Sequence, residues 1–285
     1  MKILLTGSAG FTGHHFAVSA QAAGHQMLTL RADLTDKAAV AAEVLQAAPD
    51  AVVHLAAISF VGHADDSDFY RVNVVGTMNL LAALAALPQP PVKVLLASSA
   101  NIYGNCDASP ITEDQPPAPV NHYAASKLAM EHMARTWGDR LPIVITRPFN
   151  YTGAGQGGQF LIPKLVEHFA RKAPRIELGN LHIEREFNDV RMVCGAYLAL
   201  LAHGEPGQAY NVCTGQTYTL QNVLNMLTEI TGHTLEIQIN PSFVRANEVH
   251  RLCGNPAKLQ ACTGAPVPIP LADTLRSMLT SPPWA

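Results

Sequence analysis

"TGSAGFTG", Thr6 to Gly13, closes a short apolar run, Lys2–Thr6, and opens a helical pattern, Phe11–Ala23. Its glycines fall at 7, 10 and 13, a G-x-x-G-x-x-G spacing, because Ala9 stands where G-x-G-x-x-G would have its second glycine. The physics is the same. Gly7 makes the tight turn out of the strand, Gly10 lets backbone N–H groups approach a pyrophosphate, and Gly13 lets helix and strand pack closely. The helix N-terminus adds open donors and partial positive charge. Gly7, Gly10, Phe11, Thr12 and Gly13 are therefore the expected phosphate cradle of a dinucleotide.

Working outward, strand-like runs at Gln26–Leu30, Ala51–Leu55, Val92–Ala97 and Leu141–Thr146 alternate with helical patterns at Asp36–Ala48, Asp66–Leu87 and Tyr123–Trp137. Continuous apolar strands separated by helices predict an α/β fold: a Rossmann-type, doubly wound parallel sheet covered on both faces. The alternation breaks after Asn150, where "NYTGAGQGGQ" forms a glycine-rich loop. Residues 1–150 read as a dinucleotide-binding domain. Residues 151–285 read as a smaller C-terminal substrate-binding lobe, interleaved with the first.

Apolar residues make up 48% of the 285, enough for a sizeable core, and the net charge of −3 gives no reason to expect nucleic acid or an anionic membrane. Five cysteines, with no C-x-x-C pair, argue for reduced thiols and a cytoplasmic chain. The histidines form no H-E-x-x-H and no zinc-like spacing, so no metal is expected. "VNVVGTMNLLAALAAL", Val72 to Leu87, is apolar nearly all round and needs burial on more than one side. The sheet covers one side. A neighbouring helix or a second copy, giving a homodimer, covers the other.

The residue after the second strand is Arg31, followed by Asp33 and Leu34. A guanidinium there suits the 2′-phosphate of NADP(H). If Asp33 instead holds the ribose 2′-OH, NAD(H) is accommodated. Further on, Tyr123 and Lys127 lie four residues apart, one turn apart on one helix face. An ammonium, with the positive nicotinamide ring, would lower the phenol's pKa from about 10. Tyr123 then exchanges a proton with a substrate oxygen while hydride moves.

"TGSAGFTG", "HLAA" (His54–Ala57), "NVVGT" (Asn73–Thr77), "SSANIYG" (Ser98–Gly104), "YAASK" (Tyr123–Lys127) and "RPFN" (Arg147–Asn150) occur in the order found in extended short-chain dehydrogenases/reductases. The chain resembles that family over nearly its whole length, and the family acts chiefly on nucleotide sugars. The resemblance implies Ser99 as the hydroxyl orienting the substrate oxygen, Tyr123 as acid–base and Lys127 at the nicotinamide ribose. It implies Leu34, Leu55, Ala56, Ala57, Asn73 and Pro148 along the cofactor, and Asn150 against the substrate. "NYTGAGQGGQF", "GNLHIEREFNDVR" and "RANEVHRLCGNP" are similar to segments of GDP-4-keto-6-deoxy-mannose reductases and GDP-mannose 4,6-dehydratases. They imply Arg185 and Arg245 at a substrate diphosphate and Glu248 at the nucleoside ribose. Glu186 replaces the usual Asp, Ala246 the usual Pro, and Tyr151 a frequent His.

Asn101 narrows the chemistry. The dehydratases have an acidic residue at the matching position, and an amide is no base near neutral pH. Reduction needs only hydride and one proton. The expected activity is therefore reduction of the C4 ketone of a GDP-linked 4-keto-6-deoxy sugar. Epimerisation, which uses the same Ser–Tyr–Lys set, stays open beside it.

Overall fold

Ile3 and Leu5 leave one face of the first strand, Leu4 the other, and all three are buried because helices cover both faces. A computed structural model describes residues 1–60, 63–243, 251–264 and 267–281. The first half of the chain runs β1 (Lys2–Thr6), α1 (Phe11–Ala22), β2 (Gln26–Thr29), α2 (Lys37–Ala47), β3 (Ala51–His54), α3 (Asp66–Tyr70), α4 (Thr77–Ala85), β4 (Lys93–Ala97), α5 (His122–Arg135) and β5 (Ile143–Pro148). The second half adds β6 (Tyr151–Thr152), α6 (Leu161–Ala170), β7 (Arg175–Leu178), β8 (Glu184–Glu186), β9 (Asn188–Asp189), α7 (Val190–His203) and β10 (Ala209–Val212). It ends with β11 (Thr217–Thr219), α8 (Leu220–Thr231), β12 (Glu236–Ile239), β13 (Arg251–Leu252), α9 (Ala257–Thr263) and α10 (Leu271–Thr280).

The main sheet has the order β2-β1-β3-β4-β5-β10, with every neighbouring pair parallel. The chain goes outward from β1 to β2 and then returns past β1 to β3. That reversal opens a crevice at the carboxyl ends of β1 and β3, where α/β sheets bind their ligands. One apolar layer joins the sheet to α1, α7 and Leu259 of α9. The other joins it to α2, α4 and α5. Hence α7, α9 and β10, although distant in sequence, belong to the main sheet. The smaller lobe is built from α6, α8 and α10 around Leu165, Phe169, Leu224, Leu227 and Leu275, with β7 and β12 paired.

Two differences from the sequence reading have local causes. The fifth strand begins at Ile143, after Pro142, which has no N–H to donate to a ladder. The helix expected over Asp66–Leu87 carries a π-helical stretch, Arg71–Gly76, between α3 and α4. A Cβ at Gly76 would lie 2.8 Å from Cβ of Leu34, so α4 approaches the loop after β2 closely.

Candidate active site

Gly7 turns the chain with φ +71, and a Cβ there would lie 2.7 Å from the backbone nitrogen of Ala56. A Cβ at Gly13 would meet the Gly7 carbonyl oxygen at 2.0 Å. The loop therefore closes tightly against the end of β3 only without these side chains. α1 starts at Gly10 with no side-chain cap, unlike α2, α5, α7 and α8, which Asp36, Asn121, Asp189 and Thr219 cap. Uncapped N–H donors above a glycine turn fit a dinucleotide pyrophosphate. The buried hydroxyl of Ser98, beside Ser99, has no hydrogen-bond partner among the described residues, which also fits a ligand at this edge.

At the end of β2, both oxygens of Glu43 accept backbone N–H groups, Arg31 at 2.8 Å and Ala32 at 2.7 Å. The sequence reading missed Glu43, which fixes the backbone presenting the exposed Arg31. Asp33 accepts the N–H and hydroxyl of Thr35, each at 2.8 Å, and these bonds hold its carboxyl below the usual range. Leu34 is buried against Gly76, while Leu55, Ala56, Ala57 and Pro148 are half-buried along the crevice.

Ser99 caps the short 3₁₀ helix Ala100–Tyr103 and accepts the backbone N–H of Asn101 at 3.2 Å. Asn101 contributes to this turn through its backbone. Tyr123 and Lys127 share the inner face of α5, and both are buried. The Lys127 ammonium donates to the Ala97 carbonyl at the end of β4, at 2.7 Å. Burial brings Lys127 down to about 8, with Glu131 opposing the fall. Burial pushes the Tyr123 phenol above its ordinary value, and the neighbouring Ser99 hydroxyl draws it partly back.

Beneath the crevice, the Thr77 hydroxyl donates to the Asn73 carbonyl at 2.7 Å, so it accepts from Nε2–H of His54 at 2.8 Å. Nδ1 of the neutral ring then accepts the Thr6 hydroxyl at 2.7 Å, and Thr6 accepts the Ala56 N–H at 3.1 Å. Burial, aided by the Lys127 charge, pushes His54 down to about 3. Asn73 is buried, and both its amide hydrogens are engaged, with the Ile58 carbonyl and Ser126 Oγ at 3.1 and 3.0 Å. Its side chain thus buckles the loop after β3 to α5.

The smaller lobe joins this floor through the Tyr151 hydroxyl on Thr12 at 2.8 Å, His15 on the Ala154 carbonyl at 2.8 Å and Phe60 edge-on to Phe160 at 6.1 Å. Asn150 is exposed at the start of the glycine-rich loop, and its carbonyl accepts the Asn188 N–H at 2.9 Å. Arg185 is half-exposed on β8 and donates to the Glu184 carbonyl at 2.8 Å. The departure at Glu186 has a structural reason. Its buried carboxylate accepts the Gly254 and Thr214 N–H groups and the Asn188 amide, at 2.7, 2.9 and 3.0 Å. Arg245 and Glu248 lie outside the described residues, as does Ala246.

Known proteins match this chain over nearly its whole length. The family described as GDP-mannose 4,6 dehydratase matches residues 15–278. A GDP-6-deoxy-D-talose 4-dehydrogenase from Aggregatibacter actinomycetemcomitans is 37% identical, over 91% of this chain and 90% of its own. A GDP-6-deoxy-D-mannose reductase from Pseudomonas aeruginosa is 36% identical, over 98% of this chain and 96% of its own. Among solved structures, RMD from Pseudomonas aeruginosa complexed with NADPH superposes with TM-score 0.91 at 36% identity, covering 98% of this chain and 97% of that one. Nearly the whole length is matched, so the chain belongs to the GDP-mannose 4,6-dehydratase family of extended short-chain dehydrogenases/reductases.

Proposed function

We propose that this chain reduces the C4 ketone of a GDP-linked 4-keto-6-deoxy sugar, GDP-4-keto-6-deoxy-D-mannose being the favoured substrate, with NADPH in preference to NADH. The observation that carries the reading is the convergence of Ser99, Tyr123 and Lys127 beside an amide, Asn101, instead of a carboxylate. The named activities of the two curated relatives, and NADPH in the Pseudomonas structure, support it.

Gly7, Gly10, Phe11, Thr12 and Gly13 would hold the pyrophosphate, Arg31 the 2′-phosphate and Asp33 the adenine edge. Leu34, Leu55, Ala56, Ala57 and Pro148 would line the rest of the dinucleotide, with Asn73 bracing that wall. Bound NADPH supplies the hydride. Ser99 orients the ketone oxygen, and Tyr123 gives it a proton. A phenol raised by burial starts in the protonated form that reduction requires. Lys127, held on the Ala97 carbonyl, would meet the nicotinamide ribose. Asn150 would touch the sugar, Arg185 and Arg245 would clamp the diphosphate, and Glu248 would take the nucleoside ribose.

The chain is read as a cytoplasmic homodimer. Its five cysteines are free thiols, and Val75 and Met78 on one side of the apolar helix are 47% and 37% exposed, which suits a second copy. No helix among the described residues is long and apolar enough to cross a membrane.

The experiment is loss of NADPH absorbance on adding GDP-4-keto-6-deoxy-D-mannose, with NMR of the product fixing the C4 configuration. Oxidation of NADPH is expected, at a kcat/KM above that for NADH. No oxidation with any keto-sugar nucleotide would remove the reading, and turnover on bound cofactor alone would reassign the chain to epimerisation.

A further inference from the structure

Arg147, the first residue of "RPFN", hydrogen-bonds to Glu131, Tyr103 and Glu113 rather than to Ser99, Tyr123 or Lys127, yet its bonds reach both elements that carry them. Its side chain leaves β5 into the interior and is 6% exposed. Nε and Nη2 form a two-pronged pair with Glu131 at 3.0 and 2.7 Å. Glu131 is itself 1% exposed and lies one turn beyond Lys127 on α5. Nη1 points the other way, to the Tyr103 hydroxyl at 3.0 Å and the Glu113 carbonyl at 3.1 Å. Tyr103 is the last residue of the 3₁₀ turn that Ser99 caps, and its own hydrogen goes to Asn211 Oδ1 on β10 at 2.7 Å. One rigid guanidinium thus ties the serine-bearing turn to the Tyr123–Lys127 helix.

We propose that Arg147 is a positioning residue that fixes the separation between the Ser99 turn and the Tyr123–Lys127 face of α5. The inference rests on the ketoreductase reading for its kinetic arm only. A planar fork suits this task and an ammonium does not, because a lysine cannot hold a carboxylate with two parallel bonds while a third donor holds a phenol. The second partner adds an electrostatic consequence. Glu131 opposes the fall of the Lys127 ammonium, and the same carboxylate is held in place by Arg147. Loosening the turn moves the Ser99 hydroxyl, which draws the Tyr123 phenol down, so the phenol's titration moves up.

The test pairs Arg147→Lys, which keeps the charge and loses the fork, with Tyr103→Phe, which keeps the ring and loses only the hydroxyl. Each is measured for thermal midpoint, for kcat and KM, and for the Tyr123 titration by ring-carbon NMR, assigned with Tyr123→Phe. The expected result is folded protein whose kcat is down about ten- to hundredfold in Arg147→Lys and about three- to tenfold in Tyr103→Phe. KM for NADPH should stay within about twofold, and the phenol midpoint should move up. Parental kcat and an unmoved phenol in folded Tyr103→Phe would overturn the proposal, whether or not Arg147→Lys folds. So would kcat losses that only follow the folded fraction. If the parent turns over no keto-sugar nucleotide, the functional reading fails while the phenol titration still decides the positioning role.

Discussion

At position 101 an amide stands two residues beyond Ser99, and an amide neither takes nor gives a proton near neutral pH. The turn itself uses only the backbone of this residue, whose N–H reaches Ser99 at 3.2 Å. A carboxylate there would therefore leave the serine cap intact while adding a charge beside the Ser99 turn. Asn101→Glu is expected to keep at least about a tenth of parental kcat for ketone reduction, whereas Tyr123→Phe, which removes the proposed proton donor, loses about a hundredfold or more. Steady-state NADPH oxidation by the two variants checks this. Loss in Asn101→Glu as deep as in Tyr123→Phe would make the amide part of the proton-transfer machinery. The phenol also shows what spacing alone hides. Tyr123 and Lys127 share a helix face as their four-residue separation predicts, but that face is buried, so the ammonium also reaches the Ala97 carbonyl and burial raises the phenol.

Among the elements, α1 and its glycine loop depend on local sequence most directly. Gly13 has no room for a methyl, whose carbon would lie 2.0 Å from the Gly7 carbonyl oxygen, and moving that backbone disturbs the turn from which the cradle is built. Gly195, midway along α7, has nothing within 4 Å of its missing Cβ. Gly13→Ala is expected to lower stability by about 1–3 kcal/mol and to abolish dinucleotide binding. Gly195→Ala gains about 0.5–1 kcal/mol, because alanine costs less entropy in a helix, and leaves binding alone. Denaturant unfolding with NADPH titration reads both; a Gly13→Ala protein that binds NADPH like the parent would show that the cradle tolerates a shifted helix. Such elements were legible because strand, turn and helix follow one another within a few residues. The π-helical stretch Arg71–Gly76 was not, since it answers to Leu34 packed on Gly76 and to Ile58 on Asn73. Nor was Glu43, whose partners Arg31 and Ala32 lie across a loop. The Arg147–Glu131 pair was equally hidden, because it forms only when α5 lies against β5.

Across the whole molecule, the polar floor under the crevice makes stability depend on pH in two separate windows. His54 links β1, β3 and α4 through Thr6 and Thr77, and its folded pKa is lowered from 6.5 to about 3. Above pH 6.5 the ring is neutral in both folded and unfolded chains and contributes no pH dependence. Below it, the unfolded chain takes up a proton that the folded chain refuses, so stability falls with pH at up to about 1.4 kcal/mol per unit until the folded pKa is reached. Lys127 acts at the other end. Its folded pKa, about 8, lies below the ordinary 10.5, so the cost of burying the charge is present below 8 and is relieved as pH rises toward 10.5. The acid window is the cleaner test, since His54→Gln removes the titrating group and the exposed carboxylates remain common to both proteins. Urea unfolding at pH 7 and pH 5 is expected to show the parent losing about 2 kcal/mol more than His54→Gln over that interval. Equal losses in the two would mean that the ring accepts a proton in the folded state, with both ring nitrogens donating and the Thr6 hydroxyl turned round to accept.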